Sequence, residues 1–194
     1  MANKIYAFLG PHMSGKSTMV SQLMSMGVHY IPTVTTRVFD DRYAYKRKIY
    51  RTVKGDAYSN EKFIVDNSYQ AHSYGLRKSE VLDAYKNHKV SVAIMHDVAG
   101  IKQLQKFINQ DLVTIFLMID DEVFVDRMLR GGCSNDEIRY YVETADETGE
   151  FEHWRDVDFV VKNTSTARIA LEQILAIMGL VTLVPQADFD NLVK

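Results

Sequence analysis

The sequence predicts an α/β fold in which a parallel sheet is covered by helices on both faces, and three observations predict it. Val- and Ile-rich runs alternate with helical patterns along most of the 194 residues, as expected where parallel strands are buried on both faces. A glycine-framed loop, Gly10-Pro-His-Met-Ser-Gly-Lys-Ser17, joins the first such run to the first helical pattern. The alternation fails over residues 37–74, which read as an insert rather than as more sheet.

Taken in order, Ile5-Tyr-Ala-Phe-Leu9 reads as the first strand, and Lys16 to Met26 as a helix with Met19, Val20, Leu23 and Met24 on one face. The loop between them has the spacing G-x-x-x-x-G-K-[ST] of a phosphate-binding loop, so the expected core is of the P-loop NTPase type. Gly10 and Gly15 permit backbone angles and close approach that a Cβ would forbid. The amides between them can cradle a polyphosphate, and the helix dipole adds to the anion site. Lys16 would reach the β- and γ-phosphates of ATP, and the Ser17 hydroxyl would sit on Mg²⁺. Ser14 and Thr18 complete this candidate ATP site with Gly10, Gly15, Lys16 and Ser17. His12 and Met13 fill the free positions of the loop and carry no independent signal.

The insert holds a dense basic cluster, Arg37, Arg42, Lys46, Arg47, Lys48, Arg51 and Lys54, among many tyrosines. A positive, tyrosine-rich segment beside a phosphate loop suits a second anionic substrate. A solvated face and a single-strand nucleic-acid surface, in which bases stack on Tyr43, Tyr45 and Tyr50, are the competing readings. The overall charge of −2 weighs against nucleic acid and against an anionic membrane surface.

Further strands are expected at Val90–Met95, Leu112–Ile119 and Val157–Val161, with helices at Lys78–Asn87, Gly100–Asn109, Asp121–Leu129, Asn135–Thr148 and Thr166–Met178. Ser134-x-x-Glu137 is a capping-box signature, and Gly149 supplies a stop for the helix it opens. Asp97 ends a buried apolar run, where P-loop enzymes put a carboxylate that positions Mg²⁺. A turn residue capping the next helix is the alternative. The one cysteine, Cys133, excludes an intramolecular disulfide and fits a reducing compartment. With no secretory signal and no apolar run long enough to span a bilayer, a soluble, cytoplasmic protein without a membrane partner is expected. Its oligomeric state is left open.

On these motifs the chain resembles the guanylate kinase family of P-loop phosphotransferases over roughly residues 4–178. Besides the phosphate loop, the similarity rests on Thr33-Val-Thr-Thr-Arg37, Tyr74-Gly75, His96-Asp97-Val-Ala-Gly100, Arg127-x-x-Arg130-Gly with Ser134-x-x-Glu137, and Asp158-Phe-Val-Val-Lys-Asn163. The resemblance implies that Thr33, Arg37, Tyr74 and a tyrosine of the insert bind an acceptor nucleotide, that tyrosine being Tyr50, ahead of Arg51-Thr-Val, with Tyr45 as the alternative. It also implies that Asp97 accepts from the guanine edge, that Asn163 lies near the adenine of ATP, and that Arg127 and Arg130 clamp the transferring phosphoryl group from a lid. The implied catalytic set is Lys16, Arg37, Arg127 and Arg130, with ATP and Mg²⁺ as cofactors and Ser17 and Asp97 as metal-side residues.

One domain is expected. Its core is 1–31, 77–126 and 151–179, its acceptor-binding insert about 32–76 and its lid about 127–150, with a tail at 180–194. The departures fall on the acceptor half. The family's guanine-reading Glu aligns with Val65, the Ser after Tyr-Gly is Leu76, a second arginine falls at Asp40 with Arg42 close by, and one lid arginine is Tyr141. The implied reaction is transfer of the ATP γ-phosphoryl group to a nucleoside monophosphate, GMP by resemblance. A kinase with a different acceptor and a nucleotide-binding module without turnover are the alternatives.

Overall fold

The computed structural model describes residues 3–181. The tail beyond 181 lies outside the described residues. A five-stranded, all-parallel sheet forms from β1 (Lys4–Leu9), β2 (His29–Tyr30), β7 (Val90–Ile94), β8 (Leu112–Met118) and β9 (Phe159–Lys162), in the order β2-β7-β1-β8-β9. Side chains alternate across a strand, and β1 spends both sets on core. Tyr6 and Phe8 join one apolar cluster, while Ile5, Ala7 and Leu9 join the other. That double burial explains why the strand reads as an unbroken hydrophobic run. Helices α1 (Lys16–Ser25) and α7 (Ala167–Ile177) cover the first face, and α3 (Lys78–Asn87) and α4 (Val98–Ile108) the second. The order places the end of β1 where successive connections turn to opposite sides of the sheet, and open α/β sheets bind ligands at that crevice.

The insert builds a second, four-stranded sheet from β3 (Thr33–Thr35), β4 (Tyr50–Thr52), β5 (Phe63–Tyr69) and β6 (His72–Arg77), ordered β4-β3-β6-β5. A 3-10 segment over Asp41–Lys48 and the short helix α2 (Gly55–Ser59) fill its connections. Beyond β8, α5 (Asp121–Arg130) and α6 (Asn135–Thr148) pack around Phe124, Met128 and Tyr141. The capping box at Ser134 and Glu137 forms both of its hydrogen bonds, and Gly149 ends α6 at φ 64°.

Most strand and helix boundaries fall within one or two residues of expectation, and the differences with a visible cause are in α4, β9 and α1. Helix α4 begins at Val98, two residues early, because the Asp97 side chain accepts from Gly100 N at 2.7 Å and caps it. Strand β9 begins at Phe159 rather than Val157. Asp158 instead uses its carboxylate on Thr114, accepting from N at 2.8 Å and from Oγ1 at 2.7 Å. Strand β7 stops at Ile94 rather than Met95. On α1 the core takes Met19, Val20 and Leu23, while Met24 stays exposed.

Candidate active site

The phosphate loop leaves β1 at Leu9 and enters α1 at Lys16. Its glycines are required by contact as well as by conformation. Gly10 has φ 149°, and a Cβ there would lie 2.5 Å from Leu117 O. Gly15 has φ 98°, and a Cβ there would lie 2.6 Å from Asn163 Nδ2. The Lys16 ammonium folds back on the loop, donating to Gly10 O at 2.6 Å and Pro11 O at 2.9 Å. Burial brings its pKa down to about 8, partly countered by the buried carboxylate of Glu150.

Asn163 locks the loop from the β9 side. Its Nδ2 donates to Ser14 O at 2.8 Å, and its backbone oxygen accepts from Arg127 Nη2 at 2.7 Å. Arg127 Nη1 donates to Met13 O at 2.9 Å, so this arginine clasps the phosphate loop itself. Two buried atoms here, Ser14 Oγ and Asn163 Oδ1, have no protein partner. Orphaned polar atoms at a glycine-built cradle fit a phosphate-bearing ligand with its cation.

A cleft of about 340 Å³ opens from this loop toward the second sheet. Ser14, Gly15, Lys16, Ser17 and Thr18 form one wall, and Arg127 and Asn163 lie beside them. Arg37, Tyr50 and Tyr74 line the other side, so the structure gathers most of the sequence-derived residues around one cavity. Gly10 sits just beneath, as the acceptor of the Lys16 bond. Arg37 follows β3 and donates through Nη2 to the Tyr141 hydroxyl at 3.0 Å. The Tyr50 hydroxyl lies beside that of Ser17. Among the described residues no Asp or Glu side chain lines the cleft, although buried Glu150 lies behind it and accepts from His12 N at 3.3 Å.

Three expected residues are placed elsewhere. Arg130 points outward, 80% exposed, and pairs with Asp126 at 2.9 Å. Its guanidinium is engaged one turn back on the same helix, where Arg130 Nε donates to Asp126, and not by the loop. Asp97 spends Oδ1 on the helix cap and does not line the cleft. Thr33 is buried against Tyr30, Oγ1 to hydroxyl 3.3 Å, and borders a void of only about 10 Å³.

Other residues reach the site unannounced by the sequence. His12 stacks on Tyr141 with centroids 4.1 Å apart and planes 3° apart. Burial, and then Lys46, Lys16 and Arg37, push its pKa well below the usual imidazole value, so the ring is neutral. His96 packs 3.9 Å from Tyr74, also among Tyr50 and Tyr69, and is neutral by burial and the same three cations. Lys46 projects into the cleft, 4.6 Å above the Tyr43 ring. Arg42 bridges insert to α6, bonding Asp40 at 3.0 Å and Glu137 at 3.1 Å. Lys46 and Arg42 belong to the basic cluster visible in the sequence. The two histidines carried no comparable signal.

Parallel-sheet order and the phosphate loop, with helices on both faces of the sheet, define a P-loop nucleotide kinase fold. Among solved structures, the chain is similar to guanylate kinase from Anaplasma phagocytophilum, with a TM-score of 0.70 and 19% identity over 92% of this chain and 86% of that one. Shikimate kinases from Aquifex aeolicus vf5 and Bacteroides thetaiotaomicron also match, with TM-scores of 0.47 and 0.49 at 17% and 13% identity. They cover 90% and 91% of this chain, and 96% and 98% of their own. No protein-family model matches the sequence, and no curated protein matches it. At this identity the likeness establishes the fold.

Proposed function

We propose that the chain transfers the γ-phosphoryl group of Mg·ATP to the phosphate of a nucleoside monophosphate. The observation that carries this reading is the convergence of Lys16, Arg37, Lys46 and Arg127, beside the carboxylate-paired Arg42, on one cleft that no Asp or Glu lines among the described residues. Four cations facing one small volume suit two phosphate-bearing ligands better than one. Bound Mg·ATP would supply the transferable group and part of the charge neutralisation, with the loop residues Gly10 to Thr18 as its holders and Ser17 as the hydroxyl on the cation.

The chain's own contribution is position and charge. Lys16, released from the two loop carbonyls, stays next to the transferring phosphates as a buried cation. Arg37 can offer a planar fork to the acceptor phosphate, and the Tyr141 hydroxyl fixes its direction. Lys46 adds a point charge on the same side. Arg127 braces the loop and carries positive charge to the cleft's edge. A phosphate acceptor is already anionic, so the mechanism needs no strong base. The neutral His12 and His96 fit that requirement as packing groups.

GMP is the acceptor that the resemblance names. A specific observation favours a second reading, in which another monophosphate is used. Val65 and Leu76 lie in the core at 3% and 1% exposure. Asp66 is held by the Tyr58 hydroxyl at 2.7 Å, and Asp97 caps α4. Asp66 and Asp97 each have one oxygen committed within the protein, and neither lines the cleft, whereas reading a polar base edge depends on partners that face it.

Lys16→Ala and Arg37→Ala test the reaction. Lys16→Ala is expected to abolish transfer with an unchanged circular-dichroism spectrum. Arg37→Ala is expected to raise acceptor KM by about 10- to 100-fold, the worth of hydrogen bonds to a charged group, and ATP KM far less. Full activity in a folded Lys16→Ala protein would overturn the mechanism, and equal changes in both KM values would move the acceptor site elsewhere.

A further inference from the structure

At the end of the central sheet opposite the phosphate loop, His29, Asp83 and His88 come together from three places in the chain. His29 opens the edge strand β2, Asp83 lies in α3, and His88 follows that helix just before β7. One donor atom from each lies within 4.8 Å of the other two, and among the described residues no other trio of His, Cys, Asp or Glu does so.

Two of the three are already aimed by neighbours. His29 Nδ1 lies 3.1 Å from the Oγ of fully buried Ser91, which fixes the ring and leaves Nε2 as the outward donor. Asp83 Oδ1 accepts from Asn87 Nδ2 at 2.8 Å, while Oδ2 lies 3.6 Å from His88 Nε2. Such outer hydrogen bonds are the usual way in which ligating imidazoles and carboxylates are oriented. The two imidazoles stand face to face, centroids 3.7 Å apart and planes 8° apart, so shared ligation requires the part-exposed His88 ring to tilt out of the stack until both in-plane donors meet one ion. A cavity of about 530 Å³ opens beside them, walled by Val28, Val90 and Leu175, and gives an ion and its water a way in.

We propose that His29, Asp83 and His88 bind one divalent transition-metal ion of the zinc, cobalt or nickel class. Two imidazoles and one carboxylate favour such ions over magnesium, and three protein ligands leave a position for water. The ion would tie β2, a two-residue edge strand whose one strand partner among the described residues is β7, to the end of α3. Binding to the folded state alone raises the melting temperature.

The test is a titration of the metal-free, nucleotide-free protein with Co²⁺ followed by visible absorption, and with Zn²⁺ followed by thermal melting. One equivalent of Co²⁺ is expected, with a rise in Tm under Zn²⁺ that Mg²⁺ does not reproduce. His88→Ala and Asp83→Asn, whose side chains are 39% and 55% exposed, are expected to fold normally. Each should weaken Co²⁺ binding by about tenfold or more and remove the Zn²⁺-dependent rise in Tm. His72→Ala, a partly exposed histidine elsewhere, should change neither. Binding that survives in both site variants, or a wild-type Tm that Zn²⁺ leaves unmoved, would overturn the proposal.

Discussion

A lysine amine that is stripped of water and finds no carboxylate gives up its proton more readily, and Lys46 is such a group. Burial first, and then Arg37 and Lys16, bring its pKa down to about 7, with Cys133 and Asp40 pulling weakly the other way. The unfolded chain keeps that proton to about pH 10.4. Between the two values the unfolded state binds more protons, so this group's contribution to stability rises with pH across that window and is poorest below it. An anion in the cleft restores the charged form. Lys46→Met is therefore expected to raise the Tm near pH 6, by a margin that shrinks toward about pH 10. It should also raise acceptor KM by about tenfold or more. Melting curves at the two pH values and steady-state kinetics check both halves, and a lowered Tm near neutrality would refute the unpaired-cation account. The same titration predicts that wild-type acceptor affinity falls as pH rises past about 7.

At the scale of elements, α6 carries the Tyr141 hydroxyl that Arg37 meets and the Glu137 that Arg42 meets, so its N-terminal cap supports the site. Ser134→Ala removes one half of the capping box and is expected to cost about 1 kcal/mol. For a domain of this size that lowers the Tm by about 2–4 °C, with acceptor KM rising and ATP KM steady. An unchanged melting curve would mean that α6 is held by packing alone. Helices α3 and α6 are legible in the sequence to the residue, because caps and apolar spacing are local signals. Strands β2 to β4 are not. They are two or three residues long, and β3 and β4 owe their place to pairing with distant partners. The candidate site divides the same way. The phosphate loop is contiguous and readable, whereas the contact between Arg37 and Tyr141 joins residues 104 apart. The stack of His12 on Tyr141 joins residues still farther apart, and no short window along the chain contains it.

For the whole molecule, two sheets share one cleft. The parallel sheet presents the phosphate loop, and the smaller sheet with its basic 3-10 segment presents Arg37, Lys46 and the tyrosines. The Arg37–Tyr141 and Arg42–Glu137 contacts join the insert to α6 across this gap. The alternation that predicted the parallel core reflects burial of β1 on both sides. The placement of Val65, Asp66 and Asp97 was less legible, because it depends on how distant segments turn in three dimensions. No helix among the described residues is long and apolar enough to cross a membrane. The most direct measurement is ADP release from Mg·ATP with GMP, dGMP, AMP, CMP and UMP offered separately, with Lys16→Ala as the blank. The account predicts Lys16-dependent release stimulated by at least one monophosphate, confined to GMP and dGMP only if guanine is read without a free carboxylate. No stimulation by any of the five, in protein that binds ATP, would contradict it.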